Sequence, residues 1–172
     1  MISLDPASVI ERPVLENLFQ LYAYDWSAFG WLDVRPDGRF ADPSLDVYWQ
    51  GDHHHPFLIR VDGQLAGFVL VAARSRLTGT TGVFDMAEFF VMRKYRRRGV
   101  GFTAASAAFE RFTGRWEIRQ RDENVAATAF WRRVVARYTE GNYHETRNDD
   151  ATWVGPVQTF SNGQEGVAER RR

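Results

Sequence analysis

The chain has 172 residues, of which 44% are hydrophobic, a fraction that supports a packed core and excludes disorder over most of the sequence. The formal net charge is zero, which argues against a protein that mainly wraps nucleic acid or coats a membrane. The sequence contains no cysteine, and this excludes disulfides, thiolate metal sites and a cysteine nucleophile.

The length and the ends of the chain set the first expectations about its organisation. A chain of this length is most economically one domain, which we place over residues 1–160. No apolar run approaches the roughly 20 residues of a membrane helix, and Met1–Pro6 lacks the features of a signal peptide. We therefore expect a cytoplasmic protein with no membrane partner. Residues 161–172 are polar and charged, and we expect a disordered tail there.

A strand and a helix are the first elements predicted along the chain. Residues 2–4 are typical of a short strand, and Pro6–Ser8 opens a helix. The apolar face predicted for this helix consists of Val9, Ile10, Val14, Leu18, Leu21 and Tyr22. The helix leads into Tyr22–Phe29, an aromatic segment with a single acid, Asp25. Such a segment is typical of a helix end packed on the core.

Loops and a hairpin are predicted over residues 33–82. Turn residues indicate a loop at 33–42, and 45–49 is typical of a short helical turn. Three consecutive histidines, His53–His55, cannot easily all point at one ion, so we expect a surface loop and no metal there. Asp62-Gly63 between two apolar runs predicts a β-hairpin over 57–72, followed by a polar loop at 74–82.

The most informative stretch is a predicted strand, a basic turn and a helix. Residues 84–92 are rich in aromatic and branched side chains, and helical spacing of apolar residues starts at Phe102. Between them lies Arg-x-x-Gly-x-Gly, Arg96–Gly101, and five of the six residues 93–98 are cationic. Glycines permit a close approach of the backbone, and a helix start attracts anions. The pattern therefore predicts a site for a multiply charged anion such as a diphosphate.

Glu88 lies in an otherwise apolar row of the predicted strand. Met86, Phe90 and Met92 share its face because side chains alternate along a strand. Burial raises the pKa of a glutamate towards the range in which it can act as a general base. A position at the end of the sheet, or an ion pair with an arginine, is the alternative explanation.

The remaining chain alternates strands and a helix. Gly114 ends the helix that starts near Phe102, and residues 116–120 are typical of a strand. A second amphipathic helix follows Asn124, a favoured N-cap residue. Its apolar stripe consists of Ala127, Phe130, Trp131, Val134, Val135 and Tyr138. Residues 142–147 and 152–160 are predicted as the last two strands.

Two segments together resemble the Gcn5-related N-acetyltransferase (GNAT) superfamily. Arg96–Gly101 is similar to motif A, where Arg/Gln-x-x-Gly-x-Gly/Ala follows the fourth strand and holds the pyrophosphate of acetyl-CoA. Asn124-x-x-Ala127-x-x-Phe130-Trp131 is similar to the second signature, Asn-x-x-Ala-x-x-Phe-Tyr. The resemblance covers roughly residues 4–160, and it is firmest over 84–138. It implies an α/β fold with a mixed, splayed central β-sheet flanked by helices.

The resemblance also implies an activity and a set of site residues. The expected activity is acetyl-CoA-dependent transfer of an acetyl group to a primary amine in a ternary complex, with Glu88 as the base. Tyr24, Asp25 and Trp26 lie where the family covers the acceptor. The implied acetyl-CoA site consists of Phe90, Val91, Met92, Arg96, Arg97, Arg98, Gly99, Val100, Gly101, Phe102, Thr103, Asn124, Phe130 and Trp131.

One departure from the family keeps alternatives open. Trp131 stands where many members have a tyrosine that protonates the CoA thiolate, and an indole N–H is no practical acid. Tyr138 is the candidate replacement, or the thiolate leaves without help. An acyl-CoA-binding module without turnover therefore stays open, as does, less favourably, a nucleic-acid binder that uses Arg93–Arg98. The sequence does not decide whether the acceptor is a small molecule or a peptide amine. It also does not decide which acyl group is transferred or whether the protein forms a homodimer.

Overall fold

The computed structural model describes residues 1–30, 32–41 and 45–163. The α-helices within them are α1 (Arg12–Ser27), α2 (Val100–Arg111) and α3 (Val125–Tyr138). The strands are β1 (Ile2–Pro6), β2 (His54–Val61), β3 (Gln64–Arg74), β4 (Thr81–Val91), β5 (Arg115–Arg119), β6 (His144–Asp149) and β7 (Val154–Ser161). The predictions for Asp42 and Pro43 and for the tail from residue 164 lie outside the described residues.

The described strands form one sheet in the order β1-β2-β3-β4-β5-β7-β6. β1 pairs with β2, β5 with β7 and β6 with β7 in antiparallel orientation. β4 pairs with β5 in parallel orientation over only three residues of each strand, Val83–Asp85 with Arg115–Glu117, although β4 continues to Val91. The predicted α/β fold, a mixed central sheet with helices, is thereby confirmed.

The backbone divides into two compact units, each built from two segments. The first unit combines Met1–Leu70 with Glu88–Ala104, and the second combines Val71–Ala87 with the chain from Ala105 onward. The prediction of one domain over residues 1–160 stays a prediction. The predicted tail begins at Ser161, which the structure places at the end of β7.

The hairpin in the first unit was predicted correctly by its turn residues. Asp62 and Gly63 join β2 to β3 with φ angles of 49° and 78°, the two positive values that a tight two-residue hairpin turn requires. β2 starts earlier than expected, because His54 and His55 already belong to the strand and are half-buried. For those two histidines the expectation of a surface loop was wrong.

The apolar face predicted for the first helix was partly wrong. Val9 and Ile10 are 62% and 86% exposed, whereas Leu15 and Leu18 are buried. Residues 9–11 form a 3-10 turn, and α1 begins only afterwards. Because a 3-10 turn has three residues per turn rather than 3.6, the helical spacing does not continue through it. The Glu11 carboxylate accepts hydrogen bonds from the N–H and the hydroxyl of Ser8, both at 3.0 Å, and this fixes the turn.

Aromatic side chains form the core of the second unit. Phe109 and Trp116 are fully buried, with ring centroids 4.9 Å apart, and Phe160 lies 5.0 Å from Phe109. A buried ion pair crosses between the paired strands β4 and β5: the Arg119 guanidinium donates to both Asp85 oxygens at 3.0 and 2.8 Å. The bidentate geometry satisfies both charges where water is excluded. No short sequence pattern predicts this pair, because Asp85 and Arg119 lie 34 positions apart.

Candidate functional site

The basic turn between β4 and α2 has the backbone of an anion site. Arg97 and Gly99 adopt positive φ angles of 60° and 79°, and α2 begins at the next residue, Val100. The N–H of Thr103 donates to the Gly99 carbonyl at 3.0 Å, which is the first hydrogen bond of the helix. N–H groups of a first helical turn have no acceptor within the helix, and they lie at the positive end of its dipole. The turn can therefore bind a phosphate through its backbone.

The four arginines of the turn divide into two groups. Arg93 donates from Nε and Nη2 to Oδ1 of Asp25 at 3.1 and 2.8 Å, and Arg96 forms an ion pair with Oδ2 of the same carboxylate. Arg97 and Arg98 are exposed. Asp25 neutralises part of the charge of Arg93 and Arg96. The side chains of Arg97 and Arg98 are therefore better placed to bind an anionic ligand.

Arg96 is held by further contacts within the first unit. Its Nε donates to the Val91 carbonyl at 2.6 Å, and its guanidinium lies 5.8 Å from the centroid of the Phe90 ring. These contacts connect the first residue of the Arg-x-x-Gly-x-Gly pattern to the end of β4. The Arg96 side chain therefore fixes where the turn starts.

The end of β4 approaches β3 closely. The N–H of Met92 donates to the Ala66 carbonyl at 2.8 Å, so this amide already has an acceptor within the protein. A Cβ atom placed on Gly67 would lie 1.9 Å from the Phe90 carbonyl oxygen. The Met92 amide, which already donates to Ala66, is therefore a weaker candidate for contact with a ligand than its place in the implied acetyl-CoA site suggests.

Glu88 has a specific partner on α1. The hydroxyl of Tyr22 donates to Oε2 of Glu88 at 2.5 Å, and the glutamate is half-buried. From the sequence, Tyr22 was predicted as part of the apolar face of a helix and of the aromatic segment Tyr22–Phe29, and not as a partner of Glu88. The sequence signal for a place of Tyr22 near the site was its position three residues before Asp25, since residues at this spacing share a helix face.

The aromatic segment at the end of α1 is arranged unevenly. Tyr24 is 62% exposed. The Trp26 ring lies 6.0 Å from Tyr22 and 5.4 Å from Phe29 by ring centroids. Asp25, which the resemblance places where the family covers the acceptor, has both carboxylate oxygens engaged by arginines. A role for Asp25 towards the acceptor stays a prediction, and its ion pairs support a structural one.

The second signature lies in the second unit. Asn124 is the N-cap of α3, and its side-chain oxygen accepts a hydrogen bond from the N–H of Ala127 at 3.1 Å. Trp131 is 6% exposed and contacts Phe130, with ring centroids 5.1 Å apart. The capping explanation of Asn124 is therefore confirmed, and its contact with a ligand stays a prediction.

Tyr138, the candidate acid, packs within the second unit. Its ring lies 4.9 Å from Phe109 and 5.7 Å from Phe160 by centroids. Its hydroxyl accepts a long hydrogen bond of 3.5 Å from the Asn162 side chain. This environment supports a packing role, and proton donation by Tyr138 stays a prediction.

Residues 1–30, 32–41 and 45–163 contain no cluster of three or more His, Cys, Asp or Glu side chains that could hold a metal ion. None of the helices described is long and apolar enough to cross a membrane.

Comparisons with known proteins agree with the geometry. Three similar solved structures are an acetyltransferase from Thermus thermophilus, the ribosomal-protein-S18-alanine N-acetyltransferase from Escherichia coli and the PaiA N-acetyltransferase from Thermoplasma acidophilum in complex with coenzyme A. Their TM-scores are 0.66, 0.56 and 0.59, at 14%, 13% and 9% sequence identity. The matches cover 94% of this chain in each case, and 97%, 94% and 99% of the three other chains.

These likenesses establish the fold, and a family model establishes the relationship. No curated protein shows a significant sequence match to the chain. The model of the acetyltransferase (GNAT) family matches residues 18–135, which is more than half of the sequence. The chain therefore belongs to the GNAT acetyltransferase family.

Proposed function

We propose that this protein is an acetyl-CoA-dependent N-acetyltransferase that acetylates a primary amine. The observation that carries the proposal is the segment from Glu88 to Ala104. In it, a half-buried carboxylate and the basic turn Arg93–Gly101, hereafter the phosphate turn, lie on one continuous stretch of backbone. Family membership supports acyl transfer as the reaction class. A cytoplasmic location and a small-molecule or peptide acceptor belong to the same proposal.

The phosphate turn fits the diphosphate of acetyl-CoA. The positive φ angles of Arg97 and Gly99 precede the first turn of α2, whose N–H groups and dipole favour an anion. Arg97 and Arg98 add charge on exposed side chains. In the second unit, Asn124, Phe130 and Trp131 are the residues we propose for the pantetheine.

Acetyl-CoA supplies an activated acetyl thioester, and the protein supplies orientation and a proton acceptor. The amine nitrogen forms a bond to the acetyl carbon, the carbon–sulfur bond breaks, and the sulfur leaves with the electron pair. Glu88 takes the proton released by the amine, directly or through water. One of the main-chain N–H groups near Phe90 to Met92 polarises the acetyl carbonyl. Holding both reactants together provides most of the acceleration, since thioesters already react with amines.

The acceptor would bind on the side of Glu88 formed by the end of α1. Tyr24 and Trp26 offer aromatic surface there, and amines in their ammonium form are attracted to such rings. The carboxylate of Glu88 adds the negative charge that favours a cationic substrate.

The test is to incubate the full chain with acetyl-CoA and each member of a panel of primary amines. The release of the free CoA thiol measures the consumption of acetyl-CoA. We expect at least one amine to be acetylated and Glu88→Gln to lower kcat by about 10²-fold or more, the contribution typical of a general base. Turnover by Glu88→Gln equal to that of the wild type would overturn the assignment of the base. CoA binding without turnover on any amine would instead favour the binding module, which Trp131 keeps open.

Nucleic-acid binding is the other alternative, and the Asp25 ion pairs weigh against it. They neutralise part of the turn that would contact a phosphodiester backbone. A labelled duplex that binds the protein and is not displaced by CoA would support this alternative. We expect no binding of the duplex at physiological salt.

A further inference from the structure

We infer that Tyr22 is a positioning residue for the reaction: it holds the Glu88 carboxylate in the orientation and the ionised form in which it accepts the proton of the amine. This inference rests on the proposed function. It assigns a role in proton transfer to a side chain of α1, 66 positions away from Glu88 in the sequence.

The geometry between the two side chains is that of a strong hydrogen bond. The phenolic oxygen lies 2.5 Å from Oε2 of Glu88, at the short end of the range for a hydroxyl that donates to a charged oxygen. Such a bond fixes the rotation of the carboxylate plane. It also stabilises the ionised form, because a phenol donates to a carboxylate more strongly than to a neutral carboxylic acid.

The ring of Tyr22 is itself held in place. Its centroid lies 5.2 Å from that of Phe19, 5.6 Å from Phe68 and 5.8 Å from Phe90, with edge-to-face packing against the first two. Rings packed on several sides do not readily leave their rotamer, so the hydroxyl stays directed at Glu88. Phe90 also lies two residues after Glu88 on β4, so the cluster connects the base to the strand that carries it.

Removing the hydroxyl while keeping the ring isolates this role. Tyr22→Phe retains the ring with its aromatic packing and deletes the hydroxyl that donates to Glu88. Tyr48→Phe is the matched control, because Tyr48 is also half-buried in the first unit and its ring packs against His54 at 5.1 Å. The same chemical change is thereby made at a tyrosine outside the proposed site.

The first measurement does not need turnover. In protein labelled with ¹³C at the glutamate carboxyl carbon, the signal missing from Glu88→Gln identifies Glu88. We expect Tyr22→Phe to raise the titration midpoint of this signal by about one pH unit, the loss of one hydrogen bond to a charged group. Tyr48→Phe is expected to leave it in place. An unchanged midpoint in Tyr22→Phe overturns the inference.

The second measurement uses acetyl-CoA and the amine of highest turnover from the panel. We expect Tyr22→Phe to lower kcat about tenfold and to move the acid limb of the pH profile to higher pH, with the KM for acetyl-CoA unchanged. In a Glu88→Gln background, Tyr22→Phe should have no further effect, since the two groups act as one unit. Additive losses would overturn the inference. Full activity of Glu88→Gln would overturn the assignment of the base and this inference with it, whereas CoA binding without turnover on any amine would overturn the proposed function and leave the titration result standing.

Discussion

A Cβ atom at Gly67 would lie 1.9 Å from the carbonyl oxygen of Phe90, closer than any side chain can come to a backbone atom. Glycine is therefore required where β3 passes the end of β4, which is also where the N–H of Met92 donates to Ala66. The close approach fixes the strand end that carries the proposed site.

We predict that Gly67→Ala destabilises the protein by about 3 kcal/mol or more, because two backbones must separate. Gly63→Ala is the control: its Cβ would meet open space, and the positive φ alone should cost about 1 kcal/mol. Urea unfolding of both variants provides the comparison. Equal losses in the two variants would show that β3 can move away from Phe90 without penalty.

Asp25 offers a test that separates its two candidate roles. Its carboxylate holds Arg93 and Arg96 at the start of the phosphate turn. We predict that Asp25→Asn raises the Kd for CoA several-fold, because the turn is less well ordered, and leaves the KM for the amine unchanged. Calorimetry and steady-state kinetics measure the two quantities.

The exposed Asp33 provides the control substitution, Asp33→Asn, with no expected effect on either quantity. A raised KM for the amine with unchanged CoA binding would instead support direct contact between Asp25 and the acceptor. That result would contradict the structural role assigned to its ion pairs.

Asn124 combines a structural contact with a proposed ligand contact. Asn124→Ala removes the acceptor of the Ala127 N–H and should lower the free energy of unfolding by about 1 kcal/mol, the usual loss for an N-cap. Asn124→Asp keeps the acceptor and should retain stability, but it lacks the amide donor proposed for the pantetheine. We therefore predict weaker CoA binding for Asn124→Asp at unchanged Tm. Wild-type affinity in this variant would restrict Asn124 to capping.

Glu145 predicts a pH dependence of stability. Hydrogen bonds from Arg132 hold the pKa of Glu145 below the ordinary glutamate value of 4.5, against an opposing effect of burial. A carboxyl group with a lowered folded-state pKa contributes stability that is present above 4.5 and is lost as the pH falls through the folded value. Its contribution should therefore be full at neutral pH.

We predict that Glu145→Gln lowers Tm at pH 7 by no more than about 2 °C, because solvent screens an exposed ion pair and limits what it contributes to stability. The difference from the wild type should narrow steadily in scans below pH 4.5. Glu110→Gln, an exposed position on α2, controls for the change in net charge. A difference in Tm that is constant over the whole pH range would exclude the ion pair as its cause.

Local sequence patterns predicted the elements that local chemistry determines. Asp62-Gly63 specified a hairpin turn through two positive φ angles, and Asn124 specified the start of α3 through its side-chain cap. Gly99 specified the turn into α2 in the same way, through its positive φ angle. In each case the residues that decide the structure lie within a few positions of one another.

Partnerships between distant residues could not be predicted in this way. Tyr22 and Glu88 are 66 positions apart, and Asp85 and Arg119 are 34 apart. Their pairing depends on strand order and register, which no short pattern encodes. The role of the Tyr22 hydroxyl was not predicted, because the apolar ring of Tyr22 is sufficient to explain why a tyrosine lies on the apolar face of α1.

The most direct test of the account is a calorimetric titration of the full chain with CoA, alongside Gly99→Val. We predict binding of one CoA per chain by the wild type, weakened at higher salt because the contacts are ionic. Gly99→Val should abolish binding, since a branched residue cannot adopt a φ of 79° without strain. No heat with CoA at millimolar concentration, or equal affinity in Gly99→Val, would contradict the claim that the basic turn before α2 holds the diphosphate.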